Sequence, residues 1–445
     1  VSEAGHAQFA QHRAQTVPEA TGEPLISVIM ANLNGEPHLE RAIRSVLDQT
    51  HRNLELVISD DGSGDCSLRL IRDAMANDPR VRLLESDRPT GPAAARNRAL
   101  NAALGDWIAI FDSDDMIHPQ RLQRLLAAAV DLGADIVADD LVFFGEDPGE
   151  QPGTLLQDLD LRGPQEIDAL ALVSGNLAGA SDLSLGYLKP LIRRGAMGQI
   201  RYNEALRIDE DYDLYLHLLM AGARFFVIPE AMYLYRRHAQ STSHRISAFS
   251  LERMVQAQSE FLDGLPPDKA DLSRAVSLRM RDHVRELGYV RVIDAIRTRR
   301  WFAATAGLLG SPRNMAFLIR SLGERLQRRR LRQNAARTRI NLLLCRQGQD
   351  VPAEYSGFTR FEVPDVCGPA SGPSAARIWA RLASLACRND LAIVALDEAG
   401  EFALGLVPRH VGAEVRRTAA AKAGLSGQGA PVSADTAAVA HPEEA

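Results

Sequence analysis

The chain has 445 residues, 46% of them apolar and 24% charged, which is the composition of a globular protein with room for two or three domains. Its 51 basic and 57 acidic side chains leave a formal charge of −6, so it lacks the basic excess of a dedicated nucleic-acid binder. There is no apolar run long enough for an ordinary transmembrane helix and no apolar signal core in the first 23 residues, so a cytoplasmic protein that does not span the membrane is expected. Cys66, Cys345, Cys367 and Cys387 show no paired short spacing, which argues against a zinc knuckle or a disulfide framework.

Residues 1–23 are polar without a period, and residues 412–445 are rich in Ala, Gly, Ser and Pro, so both ends are expected to be disordered. Order begins with a short β-branched run over residues 25–31, a buried strand closed by the turn formers Asn32, Asn34 and Gly35. Leu39, Ile43, Val46 and Leu47 then fall on one face of a helix. The alternation continues with strands at 54–59, 81–84 and 107–111 and helices at 66–76 and 91–103, an order that implies a parallel sheet covered on both faces. A helical pattern opens at Pro119, a short strand is expected at 136–138, and residues 145–182 read as an irregular, substrate-side insertion. A helix at 211–221 and a strand at 225–228 follow. From Ile246 to Arg339 the patterns are helical; beyond them, strand-like 342–344 and 391–396 flank an Ala-rich helix near 375–386.

Acidic residues cluster where strands end, and in an open α/β sheet that edge forms the ligand crevice. Asp60-Asp61-Gly62-Ser63 follows the second strand and Asp112-Ser113-Asp114-Asp115 the fourth. Helix capping explains one such residue at a time, whereas gathered carboxylates repel unless a cation or hydrogen-bond donors offset them. The Asp112-x-Asp114 spacing lets one turn direct two carboxylates at a hard divalent ion beside phosphate oxygens, with capping and turn chemistry as the other reading. Asp209-Glu210-Asp211 opens a helix, and reads either as acids favouring its dipole or as a general base for an acceptor hydroxyl.

Together these residues resemble the family 2 glycosyltransferases, whose fold is GT-A. The resemblance runs from Ile26 to about Ser243, in the family's order: residues 27–34 as its first strand and turn, Ser45 to Thr50, Asp60-Asp61-Gly62-Ser63, Gly91 with Ala95-Arg96-Asn97, Phe111 to Asp115 as its Asp-x-Asp motif, Glu210-Asp211, and Tyr235-Arg236-Arg237-His238 with Ser241 and Ser243. It implies an α/β, Rossmann-like, mostly parallel sheet with helices on both faces over residues 24–245, followed by a helical extension over 246–339, a small α/β-like segment over 340–411 and a tail over 412–445. Ser184 to Pro190, ahead of Ile192-Arg193-Arg194, resembles a subgroup engaged in exopolysaccharide assembly.

The resemblance also implies roles. Asp61 would accept from the base imide with Asp60 supporting the turn, while Ala31, Asn32 and Glu36 border the nucleoside and Arg96 faces the base or diphosphate. Asp112 would contact the ribose or donor sugar and Asp114 would hold Mg²⁺ or Mn²⁺, with Asp112 and His238 as further metal-side groups. Asp211 would be the catalytic base, and Arg236 and His238 would approach the diphosphate or metal from a loop that orders on donor binding. The reaction implied is inverting, metal-dependent transfer from a nucleoside-diphosphate sugar, UDP-sugar favoured, to a saccharide or polyprenyl-linked saccharide. Where the family often carries a Tyr-Asn pair at the first turn this chain has Met30, Ala31, Asn32 and Leu33, so an aromatic face for the base is missing. Lys189 has two readings, a contact to a phosphate of a lipid-linked acceptor or a solvated side chain beside a turn.

Between Arg297 and Arg339, twelve arginines face a single acid, Glu324, inside a protein of net negative charge. Arg328-Arg329-Arg330 and Arg332 follow an apolar helical pattern at Phe317, Leu318, Leu322 and Leu326, which reads as a basic amphipathic helix for an anionic membrane surface. A solvated face packed on acidic parts of the chain is the second reading, and nucleic acid the third, because few aromatics interleave with the charge. The expected location is therefore cytoplasmic, peripheral on the inner face of the membrane. Two alternatives to glycosyl transfer stand beside it. A metal-dependent nucleotidyltransferase would want a basic glycine-rich loop where this chain has residues 32–36. A non-catalytic sugar-nucleotide-binding module would not need Asp61, Asp112, Asp114 and Asp211 together.

Overall fold

Ile26–Asn32 (β1) is buried along almost its whole length, as a strand covered on both faces must be, and its apolar run is accordingly continuous. Pro37 opens the helix Glu36–Leu47 (α1), which turns Leu39, Ala42, Ile43 and Val46 into the core. Leu54–Asp60 (β2), Ser67–Asn77 (α2), Val81–Glu85 (β3), Pro92–Ala102 (α3) and Trp107–Asp112 (β4) follow. In α3 the buried Ala93, Ala95 and Ala99 let the helix lie close on the sheet. Next come Met116–Ile117 (β5), Arg121–Leu132 (α4), Ile136–Gly145 (β6), Gln165–Ile167 (β7), Ala169–Ser174 (α5), Leu191–Arg193 (β8), Arg194–Met197 (α6), Glu210–Met220 (α7) and Phe225–Arg237 (β9). Two long helices, Ala248–Asp263 (α8) and Ala270–Arg297 (α9), precede the strands Arg339–Arg346 (β10), Thr359–Val363 (β11), Asp390–Ala395 (β12) and Glu414–Arg417 (β13). This computed structural model describes residues 22–145, 154–156, 159, 161–175, 184–237, 246–302, 305–306, 339–346, 359–363, 390–395 and 414–417.

The main sheet runs β3-β2-β1-β4-β8-β6-β9-β5, with β7 also on β9. Strands β3, β2, β1 and β4 are parallel, and β6 pairs parallel with β9. The expected parallel sheet is thus mixed, since β8 runs antiparallel between β4 and β6, and β5 and β7 pair antiparallel with β9. Register places Asn32 opposite Asp60 and Ala31 opposite Asp112, so the two acidic clusters share one sheet edge beside β1, where the order of connection switches direction. The GT-A class expected from the sequence is the class of this sheet with its covering helices.

Strands β6 and β9 are longer than the runs at 136–138 and 225–228 that marked them. Buried Asp139 and Asp140 interrupt the apolar pattern of β6 at a register shift, and Pro229-Glu230 interrupts that of β9, so a rule reading apolar continuity stops early in both. The described part of 145–182 contains β7 and α5. Helix α9 contributes Leu272, Ala275 and Val276 to the main core, so it shares packing with the α/β unit. The second sheet, β11-β10-β12-β13, is parallel and includes the two strand-like segments expected at 342–344 and 391–396. The expected disordered end at 1–21, the Arg-rich stretch at 307–338, the helix at 375–386 and the tail at 418–445 lie outside the described residues. Among the described residues no helix is long and apolar enough to cross a membrane.

Candidate active site

The turn after β2 is built by Asp60. Its Oδ1 accepts from the amides of Gly62 (3.2 Å) and Ser63 (2.9 Å), and its Oδ2 from Asn32 Nδ2 (2.8 Å) and Ser63 Oγ (2.6 Å). Gly62 has φ +82, and the Arg88 backbone lies 3.0 Å from where a Cβ would stand. Asp61 ties this turn to the loop before α3, accepting from Thr90 N (2.8 Å), Thr90 Oγ1 (2.6 Å), Gly91 N (2.7 Å) and Arg98 Nη2 (2.9 Å). Burial opposes its charge, but the hydrogen bonds from Thr90, Arg98 and Gly91 outweigh it and hold the carboxyl below its ordinary range. These four donors make Asp61 a brace between the turn after β2 and the loop before α3. Ala31 and Asn32 end β1 at the same edge, and the exposed Glu36 borders them, taking the Cys66 amide on Oε2 at 3.2 Å.

A buried set of charges lies beside this turn. Arg96, on the inner face of α3, donates to Asp112 Oδ1 at 2.6 Å and to Glu210 Oε1 at 2.5 Å, and lies 3.8 Å from Asp211. Three carboxylates thus hold Arg96 inside the protein. Lys189 Nζ reaches Asp112 Oδ2 at 2.8 Å and Asp211 Oδ2 at 2.6 Å. The reading of Lys189 as a solvated lysine fails, since its side chain is 4% exposed. Burial works against charge on both partners, yet Asp112 is held well below the usual carboxylate range by Lys189 and Arg96, and Lys189 is raised by Asp112 and Asp211. Oδ1 of Asp211 is buried and accepts no hydrogen bond. The Tyr202 ring lies 5.6 Å from the Arg96 guanidinium, and its phenol is pushed up by burial and by the Asp211 charge.

The Asp-x-Asp turn is fixed from behind. Tyr233 Oη accepts from the Asp112 amide (3.2 Å) and donates to Asp115 Oδ2 (2.7 Å), while Asp115 Oδ1 accepts from the Arg236 amide at 2.6 Å. Asp115 is raised well above its ordinary range by burial, then by the charges of Asp114 and Asp112. Arg236 Nε donates to the Asp114 carbonyl at 2.7 Å. Arg236 thus reaches the motif, but from within β9, paired opposite Phe144, and not from the expected loop. His238 lies outside the described residues.

For a divalent ion the donor set divides. Asp112 pairs one oxygen with Arg96 and the other with Lys189, and Asp114 is the second half-buried carboxylate of the motif. No group of three His, Cys, Asp or Glu that could hold a metal occurs among the described residues. Mg²⁺ is commonly held by one or two carboxylates plus substrate phosphates, so Asp114 fits an ion that arrives with a diphosphate and does not by itself build a resident site. Tyr233 is not among the residues the sequence singles out, Glu210 and Asp115 appear there only as members of motifs, and Lys189 appears only as an acceptor-phosphate contact or a solvated side chain. A lone lysine between Leu188 and the apolar Pro190-Leu191-Ile192 was the one available signal, since a charge in such a run needs a buried partner.

The profile described as glycosyl transferase family 2 matches residues 27–178. The succinoglycan biosynthesis protein ExoO of Rhizobium meliloti is 32% identical over 312 residues, covering 68% of this chain and 87% of that protein. ExoU of the same organism, also described as a succinoglycan biosynthesis protein, is 33% identical over 270 residues, covering 59% of this chain and 75% of its own length. Among solved structures, S. aureus TarS 1-349 aligns with a TM-score of 0.48 at 20% identity, over 63% of this chain and 79% of that one.

Proposed function

The chain belongs to glycosyltransferase family 2, and from that premise we propose inverting transfer of a sugar from a nucleoside-diphosphate donor to a saccharide or polyprenyl-linked saccharide, in assembly of an exopolysaccharide. The two relatives described as succinoglycan biosynthesis proteins support the pathway class. The observation that carries the reaction is Asp211, a carboxylate at the crevice edge with one oxygen ion-paired to Lys189 and the other buried without a hydrogen bond. That oxygen, 3.8 Å from Arg96 Nη1, is the proton acceptor of this reading.

In this reading the acceptor hydroxyl passes its proton to Asp211 Oδ1 while its oxygen bonds to the anomeric carbon from the face opposite the diphosphate. The anomeric carbon–oxygen bond to the diphosphate breaks, and its electron pair leaves with the nucleoside diphosphate, so the configuration inverts. Ala31, Asn32 and Glu36 border the nucleoside, UDP favoured, within walls braced by Asp60 and Asp61. Asp112 meets the ribose or donor sugar, held in place by Arg96 and Lys189. Asp114, with His238, would hold Mg²⁺ or Mn²⁺, and the bound ion would supply Lewis-acid stabilisation of the leaving charge. Arg236 adds a fixed positive charge at the same turn. A thermal-shift panel of UDP, GDP, TDP and their sugar conjugates, each with and without Mn²⁺, tests the donor class. A manganese-dependent rise with a UDP ligand is expected, and no rise with any of them would contradict the reading. The arginine-rich segment is proposed to meet an anionic membrane surface, and equal flotation of the full chain on neutral and anionic vesicles would count against that.

A further inference from the structure

Lys189 is held in place along its backbone. The Leu188 carbonyl accepts from Tyr215 Oη at 2.8 Å, which ties the segment to α7, and the Pro190 carbonyl accepts from the Ile110 amide at 3.2 Å, which ties it to β4. Between them the Lys189 carbonyl accepts from Arg121, itself fully buried in an ion pair with Asp139 at 2.7 Å. With both neighbours and its own carbonyl fixed, the buried side chain has one direction to run, into the gap between Asp112 and Asp211. Its ammonium ends within hydrogen-bond distance of Oδ2 on each. Asp211 Oδ1 accepts no hydrogen bond and lies 3.8 Å from Arg96 Nη1.

We propose that Lys189 is the positioning residue of the acceptor half of the site: it pins Oδ2 of Asp211, so that Oδ1 keeps one orientation as the proton acceptor, and it fixes the spacing between Asp211 and the donor-side Asp112. The proposal rests on the reading of Asp211 as base. A carboxylate held by one oxygen to a fixed ammonium cannot rotate freely about its terminal bond, so one lone-pair direction persists from turnover to turnover. Correct placement of a reacting group is worth orders of magnitude in rate. Arg96 cannot substitute, because it donates its hydrogen bonds to Asp112 and Glu210 and stands 3.8 Å from Asp211.

The full chain is compared as wild type, Lys189→Met, Lys189→Ala, Asp211→Asn and the double variant Lys189→Met/Asp211→Asn. Lys189→Met keeps the volume of the stem and removes the charge. UDP release from UDP-glucose with Mn²⁺ is expected to fall at least 100-fold in kcat for Lys189→Met, while the UDP dissociation constant changes less than tenfold because Arg96 still holds Asp112. Propylammonium should restore turnover to Lys189→Ala and propanol should not, which separates the ammonium from the volume it fills. Melting temperature gives a readout that needs no substrate, and there the double variant should be more stable than Lys189→Met alone, since it removes the carboxylate left without its cation. Additive melting shifts, equal rescue by propanol, or wild-type kcat in Lys189→Met would overturn the proposal. Wild-type kcat in Asp211→Asn would instead remove the base reading on which it rests, and the two failures are told apart by which single variant stays active.

Discussion

At the first turn of α7, three successive carboxylates are each met by a cation from a different part of the chain. Asp209 pairs with Arg279 of α9 at 2.7 Å, Glu210 with Arg96 of α3 at 2.5 Å, and Asp211 with Lys189 at 2.6 Å. Buried charges arranged in this way add little net stability, but losing one partner is costly, on the order of 3–5 kcal/mol. The acids of this site were legible in the sequence because each follows an apolar strand or opens an apolar-faced helix. Their partners were not, because Arg96 and Glu210, or Lys189 and Asp112, are joined by the fold over distances that no local period reports. Asp140 illustrates a buried acid with no ion-pair partner among the described residues: its Oδ1 accepts the amides of Leu141 (2.8 Å) and Leu156 (2.9 Å), Thr154 adds a side-chain hydrogen bond, and burial outweighs these and pushes the carboxyl up to about 6. A carboxyl raised on folding favours the folded state at acidic pH, and that stability is lost as pH rises from about 4 to about 6. Asp140→Asn keeps the acceptor oxygen and removes the charge. It should therefore stabilise the protein at pH 8 by about 1–3 kcal/mol and by much less at pH 4, as read by urea unfolding; equal effects at both values would count against a buried charge at this position.

Helix α9 shows how an element outside the α/β order acts on the site. Arg279, 4% exposed, stacks 3.8 Å from the Tyr212 ring centroid and takes the side chain of Asp209. Asp209 precedes α7 with φ +75, a left-handed conformation that is unfavourable for a non-glycine residue, and it makes no side-chain cap to its own helix. The ion pair to α9 offsets that cost and fixes the angle at which α7 begins. Arg279→Met should accordingly reduce turnover by tenfold or more while leaving UDP affinity within twofold, and amide exchange over residues 207–216 should rise while that over 26–61 does not. An unchanged exchange pattern with full turnover would show that α9 only covers the core. The parallel strands β1 to β4 and the helices between them were readable from period and turn residues. Strand β8, three residues long, was not, and it is β8 that carries the Lys189 segment to β4. The helical character of 248–297 was readable, but its docking through Leu272, Ala275 and Val276 depends on which face the α/β unit leaves open.

Over the whole molecule, membership of the glycosyltransferase family decides between the reactions that strand-end carboxylates allow, and sets the nucleotidyltransferase alternative aside. In the proposed reading the site has two halves that meet at Asp112. On one side, Asn32, Asp60 and Asp61 brace the turns that would surround the nucleoside. On the other, Arg96, Lys189 and Glu210 surround Asp211. The net charge of −6 conceals this arrangement, in which the buried carboxylates Asp112, Glu210 and Asp211 share the two buried cations Arg96 and Lys189. A two-part site predicts that donor capture and chemistry can be separated by a single atom's change at Asp211. The direct measurement is Asp211→Asn in the full chain, with Mn²⁺-dependent UDP binding and sugar transfer recorded on the same preparation. UDP affinity within threefold of wild type together with at least a 1000-fold loss of transfer is the predicted result, and transfer at the wild-type rate would contradict the assignment of the base.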